Sequence, residues 1–118
     1  MKNVTLKIRH HFDAAHHLEN YEGKCSNLHG HRWNVTVFAR GIVDKKTGML
    51  VDFTIIKGEI DKLDHQCLND IVQFNPTAEN IAIYLLSKFE IAYPKIAFKV
   101  RIWESPDCSV EAKGEDFN

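Results

Sequence analysis

Apolar and polar residues alternate over four stretches of this chain, and such alternation predicts half-buried β-strands. Two stretches lie near the start of the sequence and two near its end. In the first stretch, the even-numbered positions Val4, Leu6, Ile8, Phe12 and Ala14 share one parity. In the second, the odd-numbered positions His29, His31, Trp33, Val35, Val37 and Ala39 do so. In the last two, the positions that share one parity are Ile96, Phe98, Val100, Ile102, Val110 and Ala112. We expect each set to face the core.

Helical spacing replaces the alternation in the middle of the chain. Asp52 is a plausible N-cap, and the apolar residues Phe53, Ile56, Ile60 and Leu63 follow it at helical intervals. A second helix is expected to open at Asn75-Pro76-Thr77, with the proline in its first turn. Its apolar positions are Ala78, Ile81, Ala82, Leu85 and Phe89. Between the second strand and the first helix, residues 41–48 predict a turn and residues 49–51 a return to extended structure.

The element order is therefore ββααββ. It predicts an α+β fold with an antiparallel four-stranded sheet, in one domain over residues 1–118. No repeat or linker divides the sequence. A four-stranded sheet leaves two unpaired edges, which favours oligomerisation as a way to cover them.

Composition excludes several classes of protein. Fifteen Lys and Arg oppose sixteen Asp and Glu, so the net charge of −1 gives no overall basic footprint for nucleic acid. The sequence has no apolar stretch of about 18 residues and no signal-peptide core, so neither a membrane nor export is expected. The three cysteines, at positions 25, 67 and 108, form no CxxC motif, which favours a reduced cytoplasmic setting over a disulfide framework.

Three histidines form the first candidate site. His29 and His31 are two residues apart, so on a strand both imidazoles project to the same face. His16 has the core-facing parity of its own strand, and it completes a set of three nitrogen donors typical of a catalytic zinc ion. For any one of these histidines alone, a surface or hydrogen-bonded side chain is the simpler interpretation. The shared parity of all three favours a metal.

A thiol precedes the histidine pair. Cys25 lies among the polar residues Lys24, Ser26 and Asn27, and a nearby dication would favour its reactive thiolate. An inert buried cysteine is the alternative, and we keep that interpretation for Cys67 and Cys108.

Two further candidates carry carboxylates. Asp64 and His65 stand at the end of the first helix, where a cap with a solvated histidine is the simpler interpretation. Adjacent residues on a helix do not face each other, so a contact between them would need non-helical geometry. Glu104 continues the core-facing parity of the third strand. A carboxylate there needs a partner, either in an internal salt bridge or in a ligand with N–H donors.

Six sequence strings together resemble the 6-pyruvoyl-tetrahydropterin synthase / QueD family over nearly the whole chain. They are FDAAHHL, CSNLHGH, GIVDKKTGMLVDF, LDHQCLND, NPTAEN and the final WES. The resemblance implies the tunnelling fold, in which three subunits close their sheets into a barrel and two trimers stack as a hexamer. It also implies active sites at subunit interfaces.

The same resemblance implies roles for individual residues. His16, His29 and His31 match the zinc ligands of the family, and Cys25 matches its catalytic cysteine. Asp64 and His65 match the acid/base partners, which can serve a zinc ion bound by another chain. Glu104 matches the carboxylate that anchors the pterin ring. The segment after it, SPDCSVEAKGE, does not map closely onto the family pattern.

The interval between Cys25 and His29 points to one branch of that family. Three residues separate them, as in the branch that makes 6-carboxy-5,6,7,8-tetrahydropterin from 7,8-dihydroneopterin triphosphate, with release of acetaldehyde and triphosphate. Two alternatives stay open. One is a 6-pyruvoyl-tetrahydropterin synthase, and the other is a non-catalytic module that binds zinc or a pterin.

Overall fold

A computed structural model describes residues 2–118 of the chain. Its strands are β1 (Val4–His16), β2 (His29–Gly41), β3 (Gln66–Cys67), β4 (Ala97–Ser105) and β5 (Cys108–Lys113). Its helices are α1 (Phe53–Asp61), α2 (Leu68–Ile71) and α3 (Ala78–Ala92). The strands form one sheet in the order β3-β1-β2-β4-β5. The predicted α+β class and the four long antiparallel strands are confirmed, and the sheet is open within the single chain.

The fifth strand was not predicted. β3 has two residues and pairs parallel to the end of β1, through Ala14 with Gln66 and Ala15 with Cys67. The four-residue helix α2 follows it at once. Neither element is long enough to show a period in the sequence.

The hydrophobic core lies between the sheet and helices α1 and α3. The core-facing strand positions Phe12, Trp33, Val37 and Phe98 are fully or almost fully buried, as their parity predicted. Phe12 and Trp33 are register partners, and their rings stack with centroids 5.5 Å apart. Burying an aromatic or large aliphatic side chain contributes about 1.5–3 kcal/mol, so these strands are held mainly through this face.

The first helix begins where the sequence indicated. The Asp52 side chain accepts a hydrogen bond from the Thr54 backbone N–H at 2.8 Å, which confirms it as the N-cap of α1. The helix ends at Asp61, before Leu63, and residues 62–65 continue as turns. Leu63 is nevertheless fully buried.

Two local expectations were wrong. Pro76 does not lie in the first turn of its helix, because the Thr77 hydroxyl accepts from the Asn80 N–H at 3.1 Å and Thr77 is the N-cap of α3. Residues 49–51 do not return to a strand. Their Leu50 and Val51 instead bury against the core from a loop, so their apolar character reflects packing and not sheet pairing.

No helix among residues 2–118 combines the length and apolar character that crossing a bilayer requires.

Candidate metal and acid/base site

Strand register brings the three predicted histidines together at one end of the sheet. His16 and His29 are direct partners in the β1–β2 ladder, and His31 stands opposite Ala14. The ring centroids are 4.6 Å apart for His16 and His29, 4.7 Å for His29 and His31, and 5.3 Å for His16 and His31. His16 is completely buried, while His29 and His31 are half-buried. We call these three residues the histidine cluster.

Backbone carbonyls fix the orientation of two of these rings. His16 Nδ1 lies 2.7 Å from the carbonyl oxygen of Pro76, and His29 Nδ1 lies 2.7 Å from that of Asn27. A carbonyl can only accept, so each Nδ1 carries the hydrogen and each Nε2 presents a lone pair. Such a bond behind a ligating imidazole is the usual arrangement at protein metal sites.

The Nε2 atoms of His16, His29 and His31 are buried and have no hydrogen-bond partner. Each buried, unsatisfied polar atom costs about 1–3 kcal/mol, and three together are a large fraction of a typical net stability of about 5–15 kcal/mol. A cation bound between them satisfies all three lone pairs at once. The donor set and its burial therefore fit a metal ion.

Glu104 extends the histidine cluster from the neighbouring strand β4. One carboxylate oxygen, Oε1, lies 3.1 Å from His31 Nε2 and 3.3 Å from His16 Nε2. The ligand atoms of all four residues lie within 4.8 Å of one another. Glu104 can accept a hydrogen bond from either ring only when that ring's Nε2 is protonated.

The electrostatics of the cluster favour a neutral His31 ring and an ionised Glu104 carboxylate. The pKa of Glu104 is lowered, chiefly by hydrogen bonding to a protonated His16 ring, and partial burial opposes this shift. Burial lowers the pKa of His31, and the nearby Glu104 carboxylate only partly opposes this shift. Because a metal binds unprotonated imidazole and carboxylate, both shifts favour cation binding.

Trp33 forms the floor beneath the histidine cluster, a role that the sequence analysis did not assign to it. Its ring meets those of His16 and His31 edge-on, at centroid distances of 4.9 and 5.7 Å. Its indole N–H donates to the Ala14 carbonyl at 3.2 Å. Trp33 shares the parity of His29 and His31, so the sequence did contain the signal.

Asp64 and His65 make the side-chain contact that a helical geometry would forbid. His65 has φ 58°, in the left-handed region, and its Nδ1 lies 2.9 Å from Asp64 Oδ2. The backbone N–H of Asp13 donates to Asp64 Oδ1 at 2.8 Å, and this bond is the main reason that the pKa of Asp64 is lowered. We call these two residues the Asp–His pair.

The Asp–His pair is not part of the histidine cluster. It lies at the β1–β3 edge of the sheet, and the His65 side chain is 82% exposed. The two groups meet only at an open depression, which is lined by Asp13, His31, Arg32, His65 and Cys67 among others.

Cys25 lies in a short 3-10 turn, Lys24–Ser26, between β1 and β2. It is half-buried and forms no disulfide. Its sulfur is not among the ligand atoms that converge within 4.8 Å, a statement that covers residues 2–118. The Cys25 carbonyl accepts from the Leu18 N–H at 2.9 Å, and the carbonyl of nearby Asn27 orients His29. The segment is thus tied to the cluster by the backbone.

Comparison with known proteins places these features in a family. The family described as 6-pyruvoyl tetrahydropterin synthase matches residues 5–115. A 6-carboxy-5,6,7,8-tetrahydropterin synthase of Synechocystis is 38% identical, over 69% of this chain and 70% of its own. A 6-pyruvoyl tetrahydrobiopterin synthase of Drosophila melanogaster is 33% identical, over 92% of this chain and 79% of its own.

A solved structure agrees with the sequence comparison. The 6-pyruvoyl tetrahydropterin synthase of Caenorhabditis elegans superposes with a TM-score of 0.79 at 33% identity, covering 98% of each chain. The resemblance seen in the sequence motifs is confirmed, and the chain belongs to the 6-pyruvoyl tetrahydropterin synthase family.

Proposed function

We propose that this protein is a zinc-dependent 6-carboxy-5,6,7,8-tetrahydropterin synthase. It converts 7,8-dihydroneopterin triphosphate and one water molecule to 6-carboxytetrahydropterin, acetaldehyde and triphosphate, a reaction that belongs to queuosine biosynthesis. The observation that carries the zinc site is the convergence of three buried, unpaired Nε2 atoms. The Synechocystis relative and the short interval between Cys25 and His29 support the choice of reaction.

His16, His29 and His31 would hold the zinc ion, each through Nε2. When bound, the ion supplies Lewis acidity toward the side-chain oxygens of the substrate, which makes a neighbouring C–H easier to deprotonate. The buried, carbonyl-oriented rings keep the ligands in place before substrate arrives, which limits the entropy lost on binding.

Glu104 would accept hydrogen bonds from the N–H and amino groups of the pterin ring. An ionised carboxylate is suited to this task, and its lowered pKa keeps it ionised. Because Oε1 lies 3.1 Å from His31, a ring held by Glu104 would be positioned directly beside the metal ligands. Glu104 therefore sets the orientation of the substrate side chain.

Proton transfer is assigned to Cys25 and the Asp–His pair. The Cys25 thiolate takes the proton from carbon, and His65 returns a proton to the product. The contact of His65 Nδ1 with the Asp64 carboxylate fixes the ring, so that its Nε2 is the nitrogen that exchanges the proton.

The sites are proposed to form between subunits. Over residues 2–118, the outer sides of the edge strands β3 and β5 have no strand partner, and the exposed His65 lies beside one of these edges. Closure of three or more sheets into a barrel would cover both edges and would bring His65 against a neighbouring chain. We therefore propose a homo-oligomer, a trimer or a dimer of trimers.

Product analysis tests the proposed reaction. The zinc-loaded protein is incubated with 7,8-dihydroneopterin triphosphate, and acetaldehyde, triphosphate and the pterin product are measured together. We expect equal amounts of all three. Triphosphate release without acetaldehyde would replace the proposal with a 6-pyruvoyl-tetrahydropterin synthase, the activity named for the Drosophila relative. Absence of any turnover would leave a zinc- or pterin-binding module.

A further inference from the structure

The face of the sheet turned away from α1 and α3, here called the open face, gathers cationic side chains from four strands. Strand alternation and register place on it the cations Lys7, Arg9, Arg32, Arg40, Lys99, Arg101 and Lys113 and the carboxylates of Asp13 and Glu111. The strand residues of this face carry a net charge of +5, whereas the whole chain carries −1. The balanced composition of the chain conceals this separation of positive from negative charge, because most carboxylates lie outside the open face.

The cations lie in rows across the sheet. Arg9 and Arg101 are both register partners of Thr36, one on each side of it. Phe38 stands likewise between Lys7 and Lys99 in the adjacent row. Strands are about 4.8 Å apart, so the two arginines start roughly 10 Å from each other and their long side chains can reach one ligand.

Most of this charge lacks a carboxylate partner. Arg32 pairs with Asp13 at 2.8 Å, and Lys99 lies 3.8 Å from Glu111. Over residues 2–118, no carboxylate comes within 4.0 Å of the cations of Lys7, Arg9, Arg101 or Lys113. Like charges on neighbouring strands are destabilising, and a bound anion relieves them.

The aromatic residues of the open face are already engaged by these cations. The Arg101 guanidinium lies 5.1 Å from the centre of the Trp103 ring, and the Lys99 ammonium lies 4.5 Å from that of Phe38. Single-stranded nucleic acids bind sheets by stacking bases on free rings. The arrangement therefore favours a phosphate chain without bases.

We propose that the open face binds a linear polyphosphate, of which inorganic triphosphate is the simplest example. The surface is separate from the histidine cluster, which projects from the opposite face of the same strands. It recognises phosphate charge through Lys7, Arg9 and Arg101.

Calorimetric titration with inorganic triphosphate at low salt tests this surface. We expect saturable binding, weakened about tenfold or more in the double variant Arg9→Gln/Arg101→Gln, because two charge-assisted contacts are lost. The matched control Lys45→Gln/Lys57→Gln removes the same charge from exposed positions outside the open face and should bind as the unmodified protein does. Raising the salt concentration should weaken binding strongly.

Three results would overturn the proposal. Triphosphate does not bind saturably, or both double variants lose affinity equally, or His31→Ala abolishes binding and so assigns it to the histidine cluster. An unstructured oligonucleotide that displaces triphosphate at a much lower phosphate concentration would instead make nucleic acid the occupant.

A second observation concerns two asparagines that hold the chain directly after His16. The Asn69 side chain accepts from the His17 N–H at 2.9 Å and donates to the His17 carbonyl at 3.0 Å. The Asn75 side chain bonds Glu19 in the same double manner, at 2.9 and 3.1 Å. The two side-chain amides thus make the hydrogen bonds that the backbone of a neighbouring strand would otherwise make.

The residue between His17 and Glu19 directs its backbone N–H to a different part of the chain. Leu18, flanked by the two clamped residues, donates its N–H to the Cys25 carbonyl at 2.9 Å. The Asn75 backbone is itself fixed, because Asn80 Nδ2 donates to its carbonyl at 2.9 Å. The start of α3 is thereby connected to the Cys25 turn through one extended segment.

The geometry points to Asn69 and Asn75 as positioning residues for Cys25. This inference rests on the proposed function, in which the Cys25 thiolate takes a proton. A displacement of about 1 Å at such a group can cost 100-fold in rate, so two amides remote from the chemistry control turnover.

Asn75→Asp and Asn69→Asp test the assignment, because each keeps the shape and removes the N–H donor. We expect unchanged zinc content, unchanged KM, kcat lowered about 10–100-fold and an altered rate of Cys25 alkylation. Asn3→Asp is the control for the added charge. Unchanged turnover and alkylation would overturn the assignment, as would an activity loss that merely follows zinc loss. If the unmodified protein has no turnover, the Cys25 alkylation rate still tests positioning separately from function.

Discussion

The histidine cluster and the Asp–His pair lie near the same end of β1 and are built in opposite ways. The cluster is buried, its rings are oriented by backbone carbonyls, and all of its ligand atoms come from one chain. In the Asp–His pair, by contrast, His65 is exposed and has a left-handed backbone, and the pair lies at the β1–β3 edge of the sheet. The difference supports the proposal that one subunit supplies the metal ligands and that a neighbouring subunit completes the acid/base half of the site.

The largest expected effect comes from removing a member of the cluster. His31→Ala should lower zinc affinity by more than about 100-fold and abolish turnover, since even outer partners of metal ligands contribute 10–100-fold. Metal analysis after dialysis measures the loss. His11→Ala, on the open face, is the control and should keep one zinc ion per chain. Full zinc retention in His31→Ala would contradict the ligand assignment.

Cys25→Ala should separate binding from chemistry. We expect turnover to fall about 10²–10⁴-fold, the usual contribution of a general base, with zinc content unchanged. The comparison uses Cys108→Ala, an exposed cysteine whose loss should have no effect on either quantity. Normal activity in Cys25→Ala would assign the proton transfer to another group.

Mixing two inactive variants tests whether the histidine cluster and the Asp–His pair of one active site come from different chains. Asp64→Asn and His31→Ala, refolded together, should recover roughly a quarter of the activity, the fraction of interfaces that combine both intact halves. Each variant refolded alone provides the baseline. No recovery from an oligomer of mixed composition would place the Asp–His pair and the zinc ion of each site in the same chain.

The smallest effect concerns the cause of the lowered pKa of Asp64. The Asp13 N–H contributes most to it, so in His65→Ala the pKa should remain below the ordinary carboxyl range. Because the pKa of Asp64 is lower in the folded chain than in the unfolded chain, its carboxylate stabilises the fold at pH values above the unfolded pKa of about 4. This stabilisation is lost as the pH falls through the folded pKa. Carboxyl NMR titration measures it. Return of the pKa to its ordinary value would make His65 the dominant partner.

The features that sequence could predict are local ones. Alternation places His29, His31 and Trp33 on one face of β2, and the same rule places Glu104 inward on β4. These inferences need only the two-residue period of a strand. Helix α1 and its cap at Asp52 follow from equally local signals.

The features that escaped prediction depend on distant residues or on single backbone angles. The Pro76 carbonyl reaches His16 across 60 positions, and no period records that contact. The Asp–His contact depends on the left-handed backbone of His65, which histidine adopts only occasionally. The open face combines cations from four strands, so its charge emerges only when the register is known.

In the proposed zinc site, the hydrogen bond from His16 to Pro76 would also couple metal binding to the docking of α3. The residue that sets the tautomer of the first ligand comes immediately before the cap of α3, so the cluster reaches its final form only after that helix docks. Zinc that binds the docked state alone adds about 4 kcal/mol to stability when its concentration is 1,000 times its Kd. Metal supply would then govern how long α3 stays docked, and a metal-depleted protein should show faster amide hydrogen exchange in that helix first.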